Sequence, residues 1–458
     1  MLWLLLWPLM LLLVLLLLML LPLLVLTLLQ GKRCSMPFAW ADTGRDSSEA
    51  PHTAQALGLR WERCRPPLFS VLRRSGGGQG GASIRGAIRA DDVGQGAVGD
   101  CWFVSALAVL AASRPDLVLQ LLPSAEVSPS GCYAADLFLD GGWSSVLVDD
   151  SFPISQAKKS GGASGRGGVQ REGGKLAFCR GKEGCLWPCL IEKAYAKEHA
   201  SFAAISGGEI HEALLDLTGL PTETVSFSSQ SFDSEVSWLR LLSWHEAGFP
   251  QGCATSVSAD GIVGNHAYSL LEVREIAARP AEQTKLQFGG SSSGGGSSEG
   301  RVDPEDAGGL QLLRFCRIRN PWGKTEWKGA WSDSSSLWSA RLKKELGRTE
   351  LNDGTFWMLY SDFICRFTQV DVCKAHKGWF SMSLEGCAAR NSLSCTGCFE
   401  LEVPATAWTY LMLLQKTKRG KAKQKYFMTD LTLVLCKLTA MLVLRVTPTV
   451  VHRLTRVA

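Results

Sequence analysis

A glycine-rich loop that runs directly into an apolar helix constrains this chain more than any other stretch. Residues 94–100 read Gly-Gln-Gly-Ala-Val-Gly-Asp, and Cys101 and the apolar run 102–112 follow. Asp100 is a favoured N-cap residue, because its carboxylate can accept N–H bonds from the first helical turn. Cys101 then lies in that turn, where the helix dipole and free N–H groups favour a thiolate. The pattern predicts a cysteine nucleophile, with a buried structural cysteine as the alternative.

A cysteine nucleophile needs a nearby base and a group that orients this base. Of the seven histidines, His266 opens a strand-like apolar run and follows small residues. Asn320 can supply the orienting amide, since Pro321 and Gly323 predict a turn at a strand end around it. Trp322 in the same turn is placed to shield an Asn–His bond from water. Taken singly, the histidine is also typical of a protein core and the asparagine of a turn.

Composition narrows the class of protein. The 458 residues suffice for two to four domains, and the net charge of +5 is too mild to predict a nucleic-acid partner. The 15 cysteines are odd in number and irregularly spaced. A secreted disulfide framework is typically short and regular, so reduced thiols in a cytosolic setting are the better interpretation.

The first 29 residues are almost wholly apolar, and Lys32 and Arg33 follow them. This run exceeds the ~20 residues that span a bilayer, and the positive-inside rule puts the following chain on the cytoplasmic face. We therefore predict a transmembrane anchor in residues 1–30. A cleaved signal peptide without its basic n-region is one alternative. A start that is not genuine is the other, which would leave the protein in the cytoplasm.

Hydrophobic patterns divide the remaining chain into segments. A linker at 31–65 precedes alternating helical and strand-like patterns, with a Gly/Ser/Lys-rich insert at 158–174 and a second flexible insert at 289–309. Strands are predicted at 146–150, 267–273 and 312–318, and an amphipathic helix at 189–197. The basic tract 416–425 is predicted to be a solvated loop, with anionic lipid binding as the alternative.

Three sequence blocks resemble the signatures of the calpain cysteine proteases, in the same order and at compatible spacing: Gln95–Trp102, His266–Ser269 and Arg319–Gly323. Further blocks agree at 148–153, 191–197, 215–219, 326–333 and 353–358, so the resemblance covers residues 66–374. Within the family, residues 217–224 and the region of 379–381 are most similar to the small-optic-lobes branch.

The resemblance implies an α+β, papain-like core of two lobes with the active site between them. Residues 66–222 would form the first lobe with the cysteine, and residues 223–374 the second lobe with the histidine and asparagine. Residues 375–458 would form a shortened C-terminal β-sandwich, with a strand at 398–403. The hydrophobic helix would precede this core.

The resemblance also implies a role for each site residue. Cys101 would attack the scissile carbonyl, and His266 would form a thiolate–imidazolium pair with it and then protonate the leaving amine. Asn320 would hold the imidazole tautomer, as in other Cys-His-Asn sites. Gln95 would donate to the oxyanion together with the Cys101 backbone N–H, a kind of donor typically worth about 3 kcal/mol.

Two further residues are assigned to the substrate cleft, Trp322 over the triad and Gly99 in the nucleophile loop. One position departs from the family pattern, since Asn265 stands where glycine usually precedes the histidine. Asparagine tolerates positive φ better than most residues, so the backbone there can keep its conformation.

The family's core is activated by calcium, which aligns the two lobes. Asp92 matches one carboxylate ligand of the first-lobe site, but Cys185 stands in place of its glutamate. Three acids match the second-lobe ligands, namely Glu326, Asp333 and Asp353, while Thr355 stands where many members carry glutamate. Calcium takes six to eight oxygen ligands, so Asp92, Glu326, Asp333 and Asp353 are the predicted calcium residues, and the second-lobe site has the fuller ligand set. Acids that merely cap turns are the alternative.

The sequence therefore predicts a calcium-dependent cysteine endopeptidase that makes limited cuts in intracellular protein substrates. A catalytically silent calpain-like protein that binds partners at the membrane is the alternative. The sequence contains no EF-hand loop pattern, and Cys395 and Cys398 lack a second pair for zinc.

Overall fold

A computed structural model describes the chain from residue 60 to residue 457, with gaps. The described ranges are 60–63, 88–124, 126–155, 175–279, 312–349, 351–384, 407–417, 419–420, 435–437, 440–442 and 454–457. The apolar run 1–29, both inserts and the predicted strand 398–403 lie outside them. Within these ranges, no helix is long and apolar enough to cross a bilayer.

The described α-helices are short to medium in length. They are α1 (Cys101–Ser113), α2 (Pro115–Leu121), α3 (Trp187–Glu198), α4 (Ile210–Thr218), α5 (Ser234–Glu246), α6 (Ala340–Glu345) and α7 (Tyr360–Arg366). Single 3₁₀ turns occur at Ala90–Asp92, Lys182–Gly184 and Ala203–Ile205.

The strands of the first half of the chain are β1 (Arg60–Arg63), β2 (Val93–Gly94), β3 (Cys132–Leu139), β4 (Gly142–Asp149), β5 (Ser151–Ser155), β6 (Lys175–Leu176), β7 (Arg180–Gly181) and β8 (Thr222–Ser226). Those of the second half are β9 (Gln251–Thr255), β10 (His266–Ala277), β11 (Leu312–Arg319), β12 (Thr355–Leu359), β13 (Gln369–Cys373), β14 (Ala407–Tyr410), β15 (Leu435–Lys437), β16 (Ala440–Leu442) and β17 (Leu454–Val457).

Helix α1 is the centre of the first hydrophobic core. Its residues 102–111 are all buried, as expected for a helix that is apolar on every side. Helices α2, α3 and α4 and strands β3 and β4 contribute to the same core. The Phe103 ring stacks on the Tyr195 ring of α3 at a centroid distance of 4.3 Å. This packing fixes the position of the residue at the start of α1, which is Cys101.

Helix α3 forms where a helix is predicted, but its polar residues do not make the solvent-facing side that an amphipathic helix would have. Every residue from Trp187 to Ala196 is buried, including Glu192 and Lys193. Lys193 Nζ pairs with the Asp149 carboxylate and donates to the Ser151 carbonyl at 2.6 Å. A buried charge needs such partners, and they come from strands about 40 residues earlier. The polar residues of α3 therefore mark internal contacts instead of a solvated face.

The second core is built on a six-stranded antiparallel sheet with the strand order β12-β11-β10-β9-β13-β8. Residues of α5 and α7 pack in the same hydrophobic cluster as residues of these strands. A third cluster joins Phe315, Trp331 and Trp338 to α6. The alternating helices and sheets agree with the predicted α+β class of the core.

The described strands of the C-terminal segment form two antiparallel pairs, β14 with β17 and β15 with β16. Most of this segment lies outside the described residues. The predicted β-sandwich therefore stays a prediction.

Helix α1 lies directly against strand β10. Ser105 Oγ donates to the Ala267 carbonyl at 3.1 Å, and Ser269 Oγ donates to the Ser105 carbonyl at 3.1 Å. Arg319 at the end of β11 donates from Nη2 to the Val93 carbonyl at 2.7 Å. These bonds bring the start of α1, the start of β10 and the end of β11 to one place.

Candidate active site

Cys101 is the first residue of α1 and Asp100 its N-cap, as predicted. The predicted capping contact is absent, because the Asp100 side chain accepts no hydrogen bond from the first turn. Its backbone carbonyl accepts from the N–H groups of Phe103 and Val104 at 2.9 and 3.0 Å. The carboxyl group is fully buried and turns instead toward Glu192 of α3 and Gln95. The cap residue is thus part of a buried polar cluster.

The Cys101 thiol is half-buried and points at the start of β10. The backbone N–H of Ala267 hydrogen-bonds to its sulfur. Burial raises the pKa of the thiol, and the nearby Asp100 charge adds to this effect. The N–H groups at the helix terminus do lower the pKa of Cys101, as predicted, but burial outweighs them in this conformation. Among the described residues, no hydrogen bond joins this thiol to the His266 ring.

His266 and Asn320 meet as predicted. Nε2 of His266 lies 3.0 Å from Oδ1 of Asn320, and both side chains are buried. The Asn320 amide nitrogen donates to the Thr325 carbonyl at 3.1 Å, which fixes its oxygen toward the imidazole. Nε2 must therefore carry the proton, and Nδ1 keeps its lone pair. Burial lowers the pKa of His266, with the Asn320 bond acting in the opposite direction, so the ring is neutral at pH 7.

Two aromatic rings hold the imidazole. Trp322 covers it at a centroid distance of 4.6 Å, and Tyr268 contacts it edge-on at 5.0 Å. The Trp322 side chain is 40% exposed, so it forms a wall between the ring and solvent. Asn265 has a φ of +51°, the left-handed conformation that asparagine tolerates. The departure from glycine is accommodated there.

Gln95 and Gly99 lie in the loop that carries the nucleophile. Nε2 of Gln95 donates to the Val98 carbonyl at 2.8 Å, and its Oε1 is buried without a donor among the described residues. Gly99 packs against the segment 206–208, because a Cβ there would lie 2.7 Å from Ser206 Oγ. Its carbonyl accepts the Gly207 N–H at 2.8 Å. In this conformation the Gln95 amide, the predicted oxyanion donor, donates to the Val98 carbonyl of its own loop instead.

Arg419, in the C-terminal segment, contacts residues beside the nucleophile loop. The sequence did not predict this contact. The Arg419 guanidinium lies over the Trp102 ring at 4.4 Å and pairs with both Glu212 carboxylate oxygens at 2.9 and 2.7 Å. It also donates to the Gly207 carbonyl at 2.7 Å. The prediction of a solvated loop is wrong at this position. No spacing pattern in the sequence marks the contact, because its partners lie about 200 residues or more earlier.

The predicted first-lobe calcium residues do not form an open ligand set. Asp92 is buried, and its Oδ2 accepts the Arg89 N–H at 2.8 Å and lies 3.4 Å from the Trp187 indole nitrogen. Cys185 is buried as well. Asp92 therefore caps a turn, which was the alternative interpretation.

The three second-lobe acids do lie close together. Glu326 accepts the Gly354 N–H at 2.8 Å, Asp353 accepts the Thr355 N–H at 2.9 Å, and Asp333 pairs with Arg348 at 3.4 Å. Burial raises the pKa of both Glu326 and Asp333. The charges of Asp333 and Asp353 raise the pKa of Glu326 further, and that of Asp353 raises the pKa of Asp333, while Arg348 and the contact with Glu326 act against the rise at Asp333. Mutual repulsion of this kind is what a bound cation relieves, so these residues fit a calcium ion in part.

One trio of candidate metal donors converges within 4.8 Å in the described part of the chain, and it is a different one: Glu209, His211 and Asp371. Thr224 donates to Asp371 at 2.5 Å, and the Gln369 amide donates to Glu209 at 3.2 Å. These bonds join the trio to its neighbours in a hydrogen-bond network that runs from exposed Glu209 to buried Asp371.

Comparison with known proteins decides the family. The family model described as "Calpain family cysteine protease" matches residues 53–374. The chain belongs to this family. The predicted resemblance to calpains is thereby confirmed, and the mixed helix and sheet architecture agrees with a calpain protease core.

Individual calpains are similar to this chain over the same region. The calpain-type cysteine protease DEK1 of Zea mays is 30% identical over 335 residues, which cover 70% of this chain and 12% of that protein. ADL1 of Oryza sativa subsp. japonica is 31% identical over 66% of this chain and 13% of its own length. The human calpain-1 catalytic subunit is 30% identical over 78% of this chain and 44% of its own length. The chain thus spans less than half of each of these calpains.

Proposed function

We propose that this calpain is a cysteine endopeptidase that cuts protein substrates by a Cys-His-Asn mechanism. The observation that supports it most is the bond between His266 Nε2 and Asn320 Oδ1, near the start of the helix whose first residue is Cys101. Because Nε2 is occupied, the free lone pair of Nδ1 is the one available to take a proton from the thiol. A buried structural cysteine needs no such oriented base.

The reaction would proceed in two halves. Cys101 Sγ attacks the scissile carbonyl carbon as its proton passes to His266 Nδ1, and a tetrahedral oxyanion forms. The backbone N–H of Cys101, which has no partner within its own helix at this terminus, donates to that oxyanion. The C–N bond then breaks, and His266 returns the proton to the leaving amine. Water, deprotonated by His266, hydrolyses the thioester and regenerates the thiol.

The described conformation would be a resting form of this site. The thiol binds the Ala267 N–H instead of the imidazole, and the Gln95 amide is held by Val98. Rotation of the Cys101 side chain and release of Gln95 would complete the site. Such activation is consistent with a regulated protease.

We propose that calcium bound to Glu326, Asp333 and Asp353 promotes this activation, by neutralising carboxylates that repel one another. Gly354 connects them to the triad: its N–H binds Glu326, and its carbonyl accepts the Asn320 N–H at 2.8 Å. A change in the acidic cluster is therefore transmitted through one residue to the group that orients His266.

Asp333→Asn is expected to raise the calcium concentration for half-maximal peptide hydrolysis by about 10-fold, because calcium affinity follows the number of charged ligands. Glu246→Gln, which removes an exposed acid outside the cluster, is the matched control. The measurement is a calcium titration of fluorogenic-peptide hydrolysis by the full chain. Equal midpoints for the two variants would exclude this cluster as the calcium site.

Membrane attachment through residues 1–30, with the protease on the cytoplasmic face, remains part of this proposal. Carbonate extraction of membranes from cells that express the full chain tests it. The anchor predicts retention in the pellet, and release into the supernatant with residues 1–30 intact contradicts it.

The alternative of a silent scaffold is less favoured, because the residues for both base and orienter are present and joined.

A further inference from the structure

Two carboxyl groups are buried together directly behind the candidate nucleophile. Asp100 is 0% exposed and Glu192 is 2% exposed. The two carboxyl groups face each other in the interior, although they belong to the start of α1 and to α3, about 90 residues apart. Two acids do not come together in a protein interior without a proton between them, so this pair has a specific chemical state.

The surroundings of the pair define that state. Both Glu192 oxygens accept the Cys179 backbone N–H, at 3.0 and 3.1 Å. Oδ1 of Asp100 lies 3.4 Å from Nε2 of Gln95, and the buried Oδ2 has no hydrogen-bond partner among the described residues unless Glu192 carries a proton. The pair therefore has fewer donors than two carboxylates need.

Two negative charges at this separation in a low-dielectric interior repel strongly, so one proton stays bound. Burial raises the pKa of Asp100 to about 6 and holds the pKa of Glu192 well above its usual range. We therefore expect the pair to share one proton and to carry one negative charge near neutral pH. The other titratable groups that face it are the thiols of Cys101, Cys179 and Cys189, whose pKa values are also raised.

We propose that Glu192 is a positioning residue of this active site. By holding one proton against Asp100, it limits the negative charge behind Cys101 and keeps the hold of Asp100 on the Gln95 amide weak. The inference rests on the proposed function, since Gln95 matters there as an oxyanion donor.

Loss of the shared proton to solvent would make both the Cys101 thiol and the Gln95 amide less available for the reaction. A second negative charge would oppose ionisation of the Cys101 thiol. It would also strengthen the attraction between Asp100 and the Gln95 amide, which withdraws that amide from the cleft. The pair therefore sets an alkaline limit on the reactivity of the nucleophile.

Glu192→Gln tests this proposal, because glutamine keeps an acceptor for the Cys179 N–H and a donor for Asp100 but cannot ionise. In wild type, the rate of Cys101 alkylation by iodoacetamide is expected to level off or fall at alkaline pH, below that of a simple thiol titration. In Glu192→Gln, the alkaline suppression is expected to disappear. Glu198→Gln, an exposed acid on the same helix, is the matched control and should follow wild type.

Glu192→Ala, which removes the proton and leaves Asp100 charged, is expected to lower kcat of peptide hydrolysis by about 10-fold to 100-fold with little change in KM. Glutamine at this position should restore most of that loss at pH 7. A purely structural role would leave the alkylation profile of Glu192→Gln the same as that of wild type, which would overturn the proposal.

A readout independent of turnover separates this proposal from the proposed function. Infrared difference spectra of the full chain at pH 7 should contain a protonated-carboxyl band that is missing from Glu192→Gln. A protein with this band but no peptidase activity would overturn the proposed function and leave the proton-sharing pair standing. A spectrum without the band would overturn the pair itself.

Discussion

Cys101→Ala is expected to reduce hydrolysis of casein or a fluorogenic peptide on the order of 10⁴-fold to 10⁶-fold, since it removes the nucleophile of the proposed reaction. Residual turnover would come from binding and from the oxyanion donors alone. Cys101 is only partly buried at the edge of the first core and alanine removes a single sulfur atom, so the free energy of unfolding should change by about 1 kcal/mol. The measurement is initial rates with and without calcium, together with a urea denaturation curve.

The matched control for this variant is Cys365→Ala, because Cys365 is an exposed free thiol on α7, outside the triad. Its hydrolysis rate should match that of wild type. Calcium-stimulated cleavage that persists in Cys101→Ala would contradict the proposed mechanism. Absence of cleavage in wild type at any calcium concentration would favour the silent-scaffold alternative.

His266→Ala is expected to lower kcat/KM on the order of 10⁴-fold, because the thiol then loses the base that removes its proton. In wild type, the acid limb of kcat/KM should lie below pH 6.5, since burial lowers the pKa of His266. The neutral imidazole is the active base, and a lowered pKa keeps the imidazole neutral down to a lower pH. The acid limb of kcat/KM therefore shifts to lower pH. A pH–rate profile of wild type and a single-pH comparison with the variant measure both effects.

His245→Ala, at a partly buried histidine of α5, is the control for this variant. It should leave both kcat/KM and the acid limb unchanged. An acid limb above pH 6.5 in wild type would contradict the lowered pKa of His266. A His266→Ala variant as active as His245→Ala would remove the histidine from the mechanism.

Local sequence patterns were sufficient for the backbone framework of the site. The glycine-rich loop before an apolar run placed Cys101 on a helix terminus, and the apolar run after His266 placed it at a strand start. Each of these patterns is set by residues within about ten positions. The meeting of His266 with Asn320 was inferred from motif order, and the sheet register between β10 and β11 brings them together.

Interactions between distant residues were not predictable in the same way. The charges of α3 suggested a solvated face, whereas their partners lie on other elements: Lys193 pairs with Asp149, and Glu192 with Asp100. The expected thiolate followed from the helix terminus alone, but burial against β10 dominates the pKa of Cys101. A prediction from neighbouring residues in the sequence fails where burial or a distant residue contributes more free energy than the local helix does.

The contact of Arg419 with Trp102 and Glu212, beside Cys101, has a consequence for the synthesis of the protein. Arg419 and its partner Glu212 are 207 residues apart. At ~5–20 residues per second, a ribosome needs roughly 10–40 s to synthesise the chain between them. During this interval the nascent chain contains Glu212 without its Arg419 partner and Trp102 without the Arg419 guanidinium over its ring. The surroundings of Cys101 are therefore completed late in translation. The site of a nascent chain stays unfinished until Arg419 has been synthesised.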